Sequence, residues 1–264
     1  MAQGTAAGMA MSAEECAQLY PACFTPLDLN DAYFPGETPA APAAEPQTIA
    51  LVDAYDDPEA ETDLRTYDEG FDLPSFPACD GAKSACFEKV NQDDETDNLP
   101  SPHNANAIQE RETTCEKNTT CEQELEGYEI EEAKGWALET STDIEVAHAI
   151  CQNCRIVLVE AENPSYGNLA TAENTAVNAV HADEISNSWA GSEAELTQTE
   201  IAAFDHPGIV ITAAAGDDGY LNWDTWESEP LDFNEPNFPA ASPDVIAVGG
   251  TKLTLGGSGA WEGE

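Results

Sequence analysis

The sequence predicts an α/β protein built on a doubly wound, mostly parallel sheet with helices on both faces. Helical and strand-like segments alternate from residue 139 to residue 216. The strand-like ones are short apolar runs such as "TIALVDAY", "RIVLVEA" and "GIVITAAAG", the first closed by the turn signal Asp56-Asp57-Pro58. Alternation of this kind builds a parallel sheet and puts ligands beyond the carboxyl ends of its strands.

Residues 1–47 are rich in Ala and Pro and read as an N-terminal extension, with "PGETPAAPAAEPQ" an extended linker or an arm lying on the domain surface. A partial domain covers 48–264. Its first strand is 48–55, and "PEAETDLRTYDEG" has helical composition and stops at Gly70. Residues 91–132 are polar, carry the Asn118-Thr119-Thr120 sequon and two cysteines, and are expected as a surface loop excursion. Then come a helix at 139–150, a strand at 155–161, a helix around 166–181, a strand at 184–189, a helix around 193–205 and a strand at 208–216.

With 264 residues and 41% hydrophobic content the chain can bury one substantial core. Eight Lys and Arg stand against 52 Asp and Glu, a net charge of −44, so the surrounding field repels phosphate backbones and anionic lipid. Nucleic acid and membrane surfaces are excluded as partners on that ground. Such acidity suits either salty surroundings or an acid medium where carboxylates are protonated.

The eight cysteines fall into sequence-local couples, Cys16/Cys23, Cys79/Cys86, Cys115/Cys121 and Cys151/Cys154. An even, locally paired set predicts disulfides in an oxidising compartment and a secreted protein, although the connectivity stays open. The first residues, "MAQGTAAGMAMSAEEC", lack the basic and long apolar regions of a signal peptide. No apolar run approaches the ~20 residues needed to span a bilayer. A soluble monomer is expected.

The segment "GWALETSTDIEVAHAICQNCRIVLVEA" runs from helix into strand, yet its helix carries Glu139, Asp143, Glu145 and His148. Taken alone, acidic residues four apart are a solvated helix face. Equally, Gly216-Asp217-Asp218-Gly219 alone is a tight turn, and Trp189 alone is as well suited to a core as to a pocket wall. His148, Cys151 and Cys154 have the look of half a zinc site, but without a second cluster tetrahedral coordination is incomplete. A disulfide or buried thiols fit better, with His148 on the polar face of its helix. An ordinary Ser-His-Asp arrangement would use Asp53 at a strand end, but its expected His-Gly-Thr-His is missing and His103 lies in the loop "LPSPHNANA".

Four stretches in order change the weighing. "ETSTDIEVAHA", "ISNSWAG", "AAAGDDGY" and "FPAASPDVIAVGGT" resemble motifs of the sedolisin, or serine-carboxyl peptidase, family over roughly 48–255. The resemblance implies a subtilisin-like fold and a Ser-Glu-Asp triad acting on proteins or peptides at acidic pH. Glu139 would be the general base, Asp143 its orienting partner and Asp217 the oxyanion-hole donor. Ser188-Trp189-Ala190 would form an edge that binds the substrate backbone, with Ala190 where the family has Gly. The chemistry is coherent: carboxyls four apart share a helix face and tend to share a proton. A histidine with pKa near ~6.5 would be charged in acid, whereas a carboxylate near ~4.3 still accepts a proton. Asp217 could stabilise an oxyanion only when protonated, since only then does it donate.

The family nucleophile belongs to a Gly-Thr-Ser motif downstream of "AVGGT", followed by ligands for a structural calcium. The sequence reaches Glu264 before either, and Ser258 in "GGSGAW" does not match the motif. No metal or other cofactor is assigned within the chain. The expectation is a serine-carboxyl endopeptidase without its nucleophile, incomplete at the C-terminus, or a noncatalytic secreted relative that binds polypeptides.

Overall fold

The computed structural model describes residues 23–35, 46–80, 84–103, 105–193, 196–217, 236–256 and 261–264. Its sheet is organised around β1 (Thr48–Ala54), buried along almost its whole length. A continuous apolar run is what a central parallel strand needs, because both of its faces are covered. β1 pairs in parallel with β3 (Arg155–Ala161) and with β4 (Glu184–Asn187). β2 (Cys86–Asn91) lies outside β3. Beyond β4 come β6 (Val210–Ala214) and β8 (Ile246–Val248), giving the order β2-β3-β1-β4-β6-β8 with every pairing parallel. The two-residue strands β5 (Gly191–Ser192) and β7 (Asn237–Phe238) pair antiparallel, as do β9 (Thr254–Leu255) and β10 (Trp261–Gly263).

Successive side chains of a strand point to opposite faces, and two cores follow from that alternation. Ala50, Val52, Val157 and Val159 pack beneath helix α5 (Tyr166–Asn178) with Leu169, Ala172 and Ala176. On the opposite face Leu51, Ile156 and Leu158 meet Leu64 of α2 (Ala60–Phe71) and Ile144 of α4 (Thr119–Ile150). The predicted doubly wound sheet is therefore the observed one, with shorter strands at 184–187 and 210–214 and a short α6 at Gln198–Ala202.

Two expectations are corrected, for residues 91–132 and for His148. The supposed loop at 91–132 is largely helical: α3 spans Ala105–Thr114, and α4 begins at Thr119, where Asn118 caps it by accepting from the Thr120 and Cys121 amides. Its polar sequence lacks an apolar stripe but is rich in Glu, a strong helix former. The N-terminal arm holds α1 (Pro26–Tyr33), started by a capping box between Thr25 and Asp28. His148 is fully buried, since the inward stripe of α4 is Thr140, Ile144 and His148. Its Nε2 lies 3.1 Å from Asp68 and 3.2 Å from the Pro74 carbonyl, its ring stacks on Phe76, and burial pushes its pKa down.

Disulfides join Cys79–Cys86, Cys115–Cys121 and Cys151–Cys154, as the local couples suggested. Cys23 is disulfide-bonded too, while Cys16 lies outside the described residues. Cys151 and Cys154 are thus unavailable as metal ligands. Among the described residues no helix is long and apolar enough to cross a membrane.

Candidate active site

Three strands deliver polar side chains at one end of the sheet: Asp53 at the end of β1, Ser188 just past β4 and Asp217 just past β6. Helix α4 crosses this end. Its buried residues Thr140 and Ile144 anchor it to the sheet, which leaves Glu139 and Asp143, one position earlier in each turn, half-buried at the rim. The i, i+4 spacing places both carboxyls on the same side of the helix.

The Ser188 hydroxyl donates to Asp143 Oδ1 across 2.9 Å. Burial raises the Asp143 pKa to about 6, opposed by that hydrogen bond and reinforced by the charge of Glu139. Glu139 is raised first by burial and then by the charge of Asp217, with Ser188 acting in the opposite sense. Asp217 itself is exposed. Glu139, Asp143, Ser188 and Asp217, distant in sequence, therefore form one interacting group.

Asp53 joins them from behind. It is fully buried, neither carboxyl oxygen has a hydrogen-bond partner among the described residues, and burial followed by the charges of Asp143 and Glu139 holds its pKa well above the usual carboxylate range. The Thr140 hydroxyl is near enough to oppose that shift, although not in hydrogen-bonding geometry. In the sequence Asp53 invited only a Ser-His-Asp reading; the signal for its role was an acidic residue in an otherwise apolar central strand. His103 pairs instead with Glu126, its ring nitrogen 3.3 Å away.

The expected substrate edge is only partly open. Gly191 and Ser192 are already paired with Phe238 and Asn237. At Gly191 a side chain would collide with the Tyr166 ring, whose hydroxyl donates to the Ser192 carbonyl 2.5 Å away. Ser188, Trp189 and Ala190 lie outside the strands. Trp189 is in the core, edge-on to Phe204 at 6.0 Å, and its indole N–H has no partner among the described residues. Asp218 and Ser258 lie outside the described residues.

Among the described residues no three His, Cys, Asp or Glu side chains are disposed to hold a metal ion.

No family model matches the sequence. Over 123 residues it is 34% identical to kumamolisin of Bacillus sp. (strain MN-32), a match covering 44% of this chain and 21% of that protein. Among solved structures, Pseudomonas sedolisin, a serine-carboxyl proteinase complexed with two molecules of pseudo-iodotyrostatin, aligns with a TM-score of 0.60 at 19% identity, over 90% of this chain and 56% of its own. The chain thus spans about a fifth of one relative and just over half of the other. It has a sedolisin-like, subtilisin-like α/β fold and is a partial relative of the serine-carboxyl peptidases.

Proposed function

We propose that this chain carries the base, orienting and oxyanion parts of a secreted serine-carboxyl endopeptidase that cleaves proteins in acid, and that the nucleophilic serine comes from polypeptide beyond the present sequence. The observation that supports this reading most is the gathering of Glu139 and Asp143 around the Ser188 hydroxyl at the carboxyl end of a parallel sheet, with the charge of Asp217 acting on Glu139.

In this mechanism Glu139 takes the proton of the incoming serine hydroxyl as that oxygen attacks the peptide carbonyl. Asp143 holds Glu139 in place. Its Oδ1 accepts from Ser188 while its buried Oδ2 has no described partner, which leaves Oδ2 free to carry the proton shared by the pair. Asp53, kept neutral by burial, adds no third charge behind them. Asp217 donates to the oxyanion when its carboxyl carries a proton. The base then returns its proton to the leaving amine.

The exposed apolar side chains of β8, Ile246 and Val248, support the same reading. Val248 lines a cavity together with Ser188, Thr212, Gly249 and Gly250, where further polypeptide of a complete peptidase domain would pack. The test compares the 264-residue chain with a longer polypeptide extended through a downstream Gly-Thr-Ser segment, using a denatured protein substrate in acid and at neutral pH. Cleavage by the longer polypeptide alone, in acid alone, is the expected result. If neither cleaves but both bind the substrate, the noncatalytic polypeptide-binding reading replaces this one.

A further inference from the structure

Helix α5 buries Leu169, Ala170, Ala172 and Ala176 against the sheet, and in the middle of that face stands Glu173, with no exposure to solvent. Neither of its carboxyl oxygens has a hydrogen-bond partner among the described residues. The polar group that acts on it is the side chain of Asn187, the last residue of β4 and itself buried. Asn187 Nδ2 donates to the Thr212 carbonyl on β6 at 3.2 Å, whereas its Oδ1 is likewise without a described partner. Two buried side chains with unmet hydrogen-bonding capacity thus face one another across the helix–sheet interface.

An isolated buried carboxylate is strongly disfavoured, and among the described residues no cation acts on this one. The ionisable groups on the elements packed against α5 are Asp53 of β1, Glu160 and Arg155 of β3 and Glu200 of α6. Arg155 is engaged by Glu88 and the Val180 carbonyl, and Glu160 is approached by Lys89. Burial raises the Glu173 pKa to about 8, opposed only in part by the Asn187 side chain, so the group is neutral throughout the acid range. A neutral carboxylic acid has one O–H donor and one carbonyl acceptor; a primary amide offers the matching acceptor and donor.

We infer that Glu173 is a positioning residue: as a neutral acid it pairs with the Asn187 amide and so fixes the end of β4 that carries Ser188. The link continues directly, because Asn187 is tied to β6 through Thr212 and the next residue, Ser188, donates to Asp143. Helix α5 is thereby coupled to the carboxyl pair of the active site. Ionisation of Glu173 removes its donor and introduces an unpaired buried charge, loosening the β4–β6 end as the solution becomes alkaline. Only the consequence for catalysis rests on the proposed peptidase function.

Hydrogen exchange of the backbone amides at 185–190 and 211–214, corrected for the intrinsic pH dependence, tests this on the 264-residue chain. Wild type, Glu173→Gln and Glu173→Leu are compared at pH 4 and pH 9. Gln is neutral at both values and keeps one donor and one acceptor. Wild type should match Gln at pH 4 and exchange at least about 10-fold faster at pH 9, where Glu173 is mostly ionised. Leu should exchange faster than Gln at both. Identical wild-type and Gln behaviour at pH 9, or a Leu variant as protected as Gln throughout, overturns the assignment. The readout needs no turnover, so it decides the role of Glu173 whether or not the longer polypeptide proves to be a peptidase.

Discussion

Ser188 and Asp143 meet across 2.9 Å although 45 residues separate them, and the hydroxyl proton of Ser188 points at a carboxyl whose pKa burial has lifted to about 6. Because this hydrogen bond favours ionised Asp143, Ser188→Ala should move the Asp143 midpoint upward. A carboxyl-carbon NMR titration of both proteins measures the shift. An unchanged midpoint would show that Ser188 does not tune the pair.

Replacing Glu139 by Gln keeps the shape and removes the base. In the longer polypeptide this should lower turnover by roughly 10²-fold or more, the scale of general-base catalysis. Near-normal steady-state rates would sink the triad assignment.

Activity of the longer polypeptide should be lost on the acid side as the Glu139/Asp143 pair, raised by burial, takes up protons and the base is consumed. An amide donates a hydrogen bond whatever the pH, so Asp217→Asn should retain more activity than Asp217→Ala, which should lose the ~10²–10³ of a damaged oxyanion hole. Near-normal turnover by Asp217→Ala would remove Asp217 from that role.

Stability should decline as pH rises through the acid and neutral range. Asp143 near 6, Glu145 near 7 and Glu173 near 8 all titrate above ordinary carboxyls, each because of burial first. Between their unfolded and folded pKa values the native state binds more protons than the unfolded state, and the slope of unfolding free energy with pH is negative there. His148, whose pKa is lowered, acts in the opposite direction as pH falls through its unfolded value. Urea midpoints measured from pH 4 to 9 should therefore fall on the alkaline side, and Glu145→Gln and Glu173→Gln should each flatten part of that fall. A midpoint that rises steadily to pH 8 would contradict the buried-carboxyl account.

The sequence by itself determined the alternation of helix and strand, the parallel sheet, the local disulfides and the placement of Glu139 and Asp143 four residues apart on one helix. These follow from backbone periodicity and short-range spacing, which are properties of consecutive residues. Helix α4 before residue 139 escaped because a helix standing partly off the sheet needs no apolar stripe. β2 was missed because Glu88 and Lys89 interrupt its apolar pattern, yet the strand half-buries them beside Arg155, Asp56 and Glu160. Only the tertiary structure decided that Asp53, Ser188 and Asp217 converge on the helix pair, that His148 turns inward and that Trp189 packs in the core. Glu173 and Asn187 each read as an ordinary polar residue until packing excluded water from both. Desolvation and contact between distant strand ends depend on which surfaces the fold brings together, and no local pattern encodes them.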